Sequence, residues 1–368
     1  MKIGLYSPFL AENIGGGERY ILTVADCLLS QHQVDLIIQQ QFNYTSKQLQ
    51  ALKQHFIKTF NLKLDKLNLI SGPFGPQTSS KARQTFTKAY DIFYYMTDGS
   101  FFVSKAKHNA VHFMIPFNQP PKSILQKLKL KAWPIKVANS FFTKKHLERV
   151  WKIKVNHVHW GAVNSQDFQP LPKQNIILNV GRFFSPKGNK HCKRQDFLVK
   201  TFKKMVDQGL KGWQLILNGP IDKGKDNLAY AKKVAQLAKG YPIAIRHQSQ
   251  FNLLQKDYGQ AKIYWHATGY GIDEIKNPQA VEHLGLSTVE AMSAGAVPVV
   301  IKKGGQLEVV THDLNGLLWQ TQAELIDQTL AVINQPQLFN QLSKAARTRA
   351  KAFSKPKFCQ MTKKIFNL

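Results

Sequence analysis

The chain reads as an α/β protein built from two Rossmann-like, doubly wound domains facing across a cleft. Three observations predict this. Its 368 residues exceed what one ordinary core accommodates. Short, β-branched apolar runs alternate with longer segments of helical period, the pattern of parallel sheets with crossover helices. That alternation occurs twice, on either side of the proline-rich polar stretch Gln169-Pro170-Leu171-Pro172. The expected domains are therefore 1–169 and 170–354, followed by a terminal segment, 355–368. At 43% apolar and 20% charged, the composition is that of a folded globular chain. No apolar run approaches the ~20 residues that a membrane-spanning helix needs.

In the first domain, Ile3-Gly4-Leu5-Tyr6 is the opening strand, and Met1 to Pro8 is too short and too soon interrupted for a secretory signal. Gly15-Gly16-Gly17 forms a turn before a helix over 18–30, with Ile21, Val24, Ala25 and Leu28 on one face. Leu49, Leu52, Phe56 and Phe60 form a helical stripe for the core. Strands follow at 34–38, 91–95, 110–114 and 136–140, the last running into a helix capped by Asn139 or Ser140. In the second domain, strands are expected at 175–182, 213–219, 243–245, 263–265 and 297–301.

The charge is strongly basic, 51 Lys and Arg against 22 Asp and Glu, for a net +29. Such an excess attracts nucleic acid, an anionic membrane surface or a phosphorylated substrate. No helix-turn-helix, zinc finger or RNA-recognition motif is present, so no specific nucleic-acid partner is expected. Lys122, Lys127, Lys129, Lys131 and Lys136 gather around Ile124, Leu125, Leu128, Leu130 and Trp133. That segment is either an interfacial element for lipid headgroups or an amphipathic helix packed on the first domain. Cys27, Cys192 and Cys359 are widely spaced without a metal-ligand pattern, which fits a reduced, cytosolic setting. His191 and Cys192 are adjacent but have no further ligand nearby, so no metal is expected.

The most informative stretch runs from Glu282 to Pro298. Two carboxylates, Glu282 and Glu290, stand eight positions apart, the first in a loop with Gly285 and the second early in a helix. A loop-to-helix junction offers free N–H groups and the positive end of a helix dipole, which suit a diphosphate. The carboxylates can accept hydrogen bonds from hydroxyls on either side, the layout of a nucleotide-sugar. Val297-Pro298-Val299-Val300-Ile301 then reads as a buried strand, and Gly304-Gly305 with Glu308 as a second glycine turn opening a helix.

In order and spacing this stretch resembles the signature of retaining glycosyltransferases of the GT-B fold, specifically family four. The resemblance implies a nucleotide diphosphate sugar donor (GDP-mannose or a UDP-sugar), a glycan or lipid-linked acceptor, and no metal or other cofactor. It implies that Glu282 binds sugar hydroxyls, that the amides of Leu284, Gly285 and Leu286 touch the phosphates, and that Glu290 holds the ribose. Arg182, ending a strand after Gly181, would clasp the diphosphate with a lysine, either Lys187 or Lys193; the interval to Phe202 favours Lys193, with Ser185 to Cys192 as a loop insertion. Gly16 and Gly17 would line the donor phosphate. His112, at a strand end, would contact the sugar and the reacting centre; Asp98-Gly99-Ser100 is a candidate for the acceptor. The last segment (355–368) would cross back to the first domain. The cluster from Tyr264 to Gly271 either packs its loop or flanks the base. A phosphorylase or epimerase sharing the fold is the alternative enzyme, and a polyanion-binding protein the alternative from another class. The basic charge points to a peripheral position on the inner face of a membrane.

Overall fold

The computed structural model describes residues 1–10, 15–188, 191–247 and 250–368. Of the expected loop insertion from Ser185 to Cys192, Asn189 and Lys190 lie outside them. The chain forms two compact units, one of 1–162 with 355–368, the other of 163–354.

The first unit is laid out as β1 (Lys2–Tyr6), α1 (Gly16–Leu28), β2 (Gln33–Gln39), α2 (Ser46–Phe60), β3 (Asn68–Gly72), α3 (Ser80–Thr87), β4 (Ile92–Met96), β5 (His108–Phe113), α4 (Ile124–Lys131), β6 (Ile135–Ala138), α5 (Phe141–Trp151) and β7 (His157–Val158). Its strands pair in parallel in the order β3-β2-β1-β4-β5-β6-β7. Every residue of β4 is buried, as a strand covered on both faces requires. Helix α2 starts at a reciprocal Thr45–Gln48 capping box, and its Phe56 enters the core with Leu49, Leu52 and Phe60 packed beside it. Ser140 caps α5. Strand β3 was not expected; it is a half-exposed edge strand whose apolar signal is weak.

The second unit holds β8 (Gln174–Val180), α6 (Gln195–Asp207), β9 (Gln214–Asn218), α7 (Lys225–Ala238), β10 (Ile243–Arg246), α8 (Phe251–Gln260), β11 (Ala261–His266), α9 (Leu286–Ser293), β12 (Val297–Ile301), α10 (Gln306–Val309), β13 (Leu317–Trp319), α11 (Gln322–Asn334) and α12 (Pro336–Ala350). Its strands are parallel in the order β10-β9-β8-β11-β12-β13. Both units are thus Rossmann-like α/β sheets. The division falls at 162/163 rather than 169/170. Val163 donates its N–H to the Phe353 carbonyl (2.8 Å) and Leu171 to that of Gly259 in α8 (3.1 Å), which ties the proline-rich stretch to the second unit.

The last helix, α13 (Lys355–Phe366), belongs to the first unit. Phe358, Ile365 and Phe366 join its core, Lys355 pairs with Asp26 at 2.6 Å, and Cys359 is disulfide-bonded to Cys27 of α1. The expectation of three reduced cysteines is corrected here. Residues separated by 332 positions meet because α13 packs on α1, and spacing along the chain carries no sign of that. Cys192 is the remaining cysteine, free and buried.

Candidate functional site

In the second unit the strand order reverses between β8 and β11, so a crevice is expected at the carboxyl ends of those two strands. Arg182 follows β8 across Gly181, and His266 is the last residue of β11. Helix α9 begins on the same side after Gly285. This glycine is left-handed (φ 101°), and a β-carbon there would lie 2.3 Å from Nε2 of Gln306. Among the described residues no side chain caps α9, so its first amides keep their donor capacity for a ligand.

The loop before α9 is held from behind by the second glycine turn. Gly305 donates its N–H to the Glu282 carbonyl (2.8 Å), and a β-carbon on Gly305 would sit 2.2 Å from the His283 carbonyl oxygen. The glycine pair therefore positions Glu282. Onto that carboxylate the structure brings Lys193, whose Nζ donates to Oε2 at 2.6 Å. Nε2 of His266 lies 3.2 Å and Nε2 of His191 3.5 Å from the same oxygen. Among the described residues all three converge on Oε2, which leaves Oε1 to serve a ligand. Burial pushes the Glu282 carboxyl up, but Lys193, then His191 and His266, outweigh it and hold the group well below the usual carboxylate range. Burial lowers His191 and His266, both beside Lys193, and takes His283, which stacks on His191 at 5.1 Å, down to about 3. The three imidazoles are thus neutral near pH 7, and the fixed cation of the cluster is Lys193.

The other expected residues fall as follows. Arg182 is partly exposed, its Nη1 3.5 Å from Asp222 and its guanidinium 4.8 Å from the Phe184 ring centre. Lys187 stands in solvent, 78% exposed, 3.7 Å from Asp226, so the geometry selects Lys193 as the lysine of this cluster. Glu290 is buried in the second turn of α9, where its Oε2 accepts from the Tyr258 hydroxyl at 2.8 Å. Leu284 is buried, and Leu286 opens α9 with its amide in the first turn. Buried beside Gly285, the Gln306 amide makes no hydrogen bond among the described residues, so polar capacity is held in reserve there.

The aromatic cluster at the end of β11 and the turn after it is held by internal packing. Trp265 donates to Thr329, Tyr264 to Ser287, and Tyr270 stacks on Phe197 with ring centres 3.9 Å apart. His191, His266 and His283 were not expected as site residues. His266 carries the one available signal, a polar residue ending the apolar run of β11.

The remaining candidates lie in the first unit. Gly16 and Gly17 are the first two residues of α1 rather than a loop. A β-carbon would meet nothing within 4 Å of Gly16 and only the Met96 sulfur, at 3.6 Å, near Gly17, so packing within the unit does not demand glycine at either. His112 was expected on an accessible strand end. It is fully enclosed: its Nδ1 is 2.8 Å from the Tyr94 hydroxyl and its Nε2 3.0 Å from the Met114 sulfur. Tyr94 in turn meets Tyr20, which reaches His159. Burial holds His112 well below the usual histidine range. This is the setting of a core histidine, because a polar residue at a β5 position covered on both sides is partnered by Tyr94 and Met114. Asp98 caps its own loop by accepting from Ser100, and both line a cavity of about 330 Å³ with Gln39, Gln41, Arg83 and Phe102.

A family model described as glycosyl transferases group 1 matches residues 163–349, half of the chain and nearly all of the second unit. Among curated proteins, the chain is 24% identical over 237 residues to a human GDP-Man:Man(3)GlcNAc(2)-PP-Dol alpha-1,2-mannosyltransferase. That match covers 60% of this chain and 46% of the human protein, so the chain spans about half the length of this relative. Among solved structures, a glycosyltransferase from Rickettsia africae superposes with a TM-score of 0.73 at 18% identity, covering 99% of this chain and 98% of the other. The Anabaena protein HepE in complex with UDP-glucose gives 0.69 at 16% identity, covering 100% and 99%.

Proposed function

Because the chain belongs to the glycosyl transferases group 1 family, we propose that it transfers a sugar from a nucleotide diphosphate sugar to a glycan or lipid-linked acceptor, with retention of configuration. The observation that carries the reading is the Lys193–Glu282 pair set before the uncapped start of α9. In this reading Oε1 of Glu282 accepts from sugar hydroxyls, and the amides of Leu284, Gly285 and Leu286 receive the phosphates. Glu290 accepts from the ribose, while Arg182 and Lys193 neutralise the departing diphosphate. Stabilising charge that develops on the leaving group is the largest contribution such a site can make. Because Glu282 is ion-paired with Lys193 and its Oε1 is assigned to sugar hydroxyls, this reading has the acceptor attack on the face the diphosphate leaves. The human relative named for GDP-Man supports a mannosyl donor, and HepE, solved with UDP-glucose, a uridine one. Asp98, Ser100 and Arg83 in the cavity of the first unit are the proposed acceptor contacts. No described helix is long and apolar enough to cross a membrane.

Thermal unfolding with GDP, UDP and their sugars tests the donor site. A nucleotide at a hundred times its dissociation constant adds about 2.7 kcal/mol of stability. We expect a rise for one base that disappears in Glu290→Ala; no rise with any nucleotide would overturn the reading. Because Arg182 and Lys193 carry the charge a metal supplies in other transferases, activity is expected to persist in excess EDTA. A loss restored by a divalent cation would show that the two side chains are insufficient.

A further inference from the structure

We propose that the outward face of α4 docks the first unit on an anionic lipid bilayer. The orientation of this helix is set by its inner side. There Gln126 accepts the Phe101 N–H at 3.1 Å, Leu130 is buried, and just beyond the helix Trp133 donates to the Phe102 carbonyl at 2.9 Å. Ser123 caps the start by accepting from the Gln126 N–H. With these groups turned inward, Ile124, Leu125 and Leu128 are left 77%, 60% and 54% exposed. At about 100° per residue they share a single arc roughly 100° wide, bordered by Lys131 on one edge and Lys129 on the other.

The chemistry of that arc fits one occupant. Residues 122–136 contain Lys122, Lys127, Lys129, Lys131 and Lys136 and no acidic residue. No ion pair forms at Lys122, Lys127, Lys129 or Lys131 among the described residues. A lysine-bordered apolar strip matches a surface of anionic headgroups over acyl chains, where side chains of this size insert and each lysine adds attraction. A protein partner fits less well. Three side chains on two turns of helix cover far less than the ~1,200 Å² of a stable interface. Because Gln126 of α4 and the adjoining Trp133 are hydrogen-bonded to Phe101 and Phe102, which line the cavity of Asp98 and Arg83, docking would hold that cavity beside the bilayer. The docking stands apart from the transferase reading; only its use, the capture of a lipid-linked acceptor, rests on that reading.

The test is flotation of the protein with vesicles of phosphatidylcholine alone and with added phosphatidylglycerol. It compares wild type with a variant carrying Ile124→Ser, Leu125→Ser and Leu128→Ser. The three changes remove exposed groups and leave the net charge at +29. Wild type is expected to float with the anionic vesicles, and the variant to partition roughly tenfold less or weaker still. An unchanged thermal midpoint and nucleotide response in the variant would show that fold and donor site are intact. Equal partition of the two proteins would mean that diffuse charge suffices, and would overturn the proposal. So would failure of wild type to float, or a wild-type dimer that the variant dissociates without any vesicle binding. Flotation is read without a donor, so a failed nucleotide response and a failed docking remain distinguishable.

Discussion

Replacing Lys193 by methionine is expected to lower the proposed transfer rate by about 10²–10³-fold, the usual cost of removing one preorganised donor from a developing negative charge. Lys193 is the charged partner of Glu282 at 2.6 Å, and both side chains are largely buried. The same change leaves a buried carboxylate with only neutral imidazoles beside it, and is expected to cost about 3 kcal/mol of stability near pH 7. The acid dependence follows from the direction of the shift. In wild type the Glu282 carboxyl is held below its unfolded value. Its contribution is therefore present above the ordinary carboxylate pKa and is lost as pH falls through the folded one. In the variant, burial acts without the lysine to oppose it, so the gap in stability between the two proteins narrows on acidification. Steady-state kinetics and denaturant unfolding at neutral and acid pH check both effects. A variant with wild-type turnover would place Lys193 outside the chemistry, and a gap that stays constant in acid would mean that Glu282 is not its partner.

The second large effect lies in the first unit. Cys27→Ser is expected to cost about 2–4 kcal/mol, the usual range for a native disulfide closing a long loop. The bond joins α1 to α13, beside the Lys355–Asp26 pair and the buried Phe358 and Ile365. Alkylation under denaturing, non-reducing conditions gives a direct readout. It should label Cys192 alone in wild type and all three cysteines after reduction. Three labelled cysteines without reductant, or an unchanged unfolding midpoint in the variant, would show that the two helices are held by packing alone.

Much of the fold was legible because buried parallel strands are written as continuous apolar runs. Ile92 to Met96 and Val297 to Ile301 are buried throughout and were recognisable on that ground. Strand β3 has an exposed, polar pattern, and β7 and β13 have two and three residues, too few for any period to register. At the site, Glu282, Gly285 and Glu290 announced themselves by spacing along one loop and one helix, which is local information. His191 and His266 did not, because their place beside Glu282 depends on how three separate segments meet.

The amino-acid sequence alone determined the α/β class, the two sheets, the loop-to-helix junction at Gly285 and the excess of positive charge. Each of these depends on composition or on periods within a few dozen residues. Only the tertiary structure decided that Lys193 rather than Lys187 reaches Glu282, and that His112 is enclosed by Tyr94 and Met114. It also decided that Cys27 meets Cys359 and that Ile124, Leu125 and Leu128 turn outward while Leu130 turns in. The reason is common to all four. Burial and pairing are properties of neighbours brought together by folding, and residues far apart in the chain carry no local mark of who those neighbours will be.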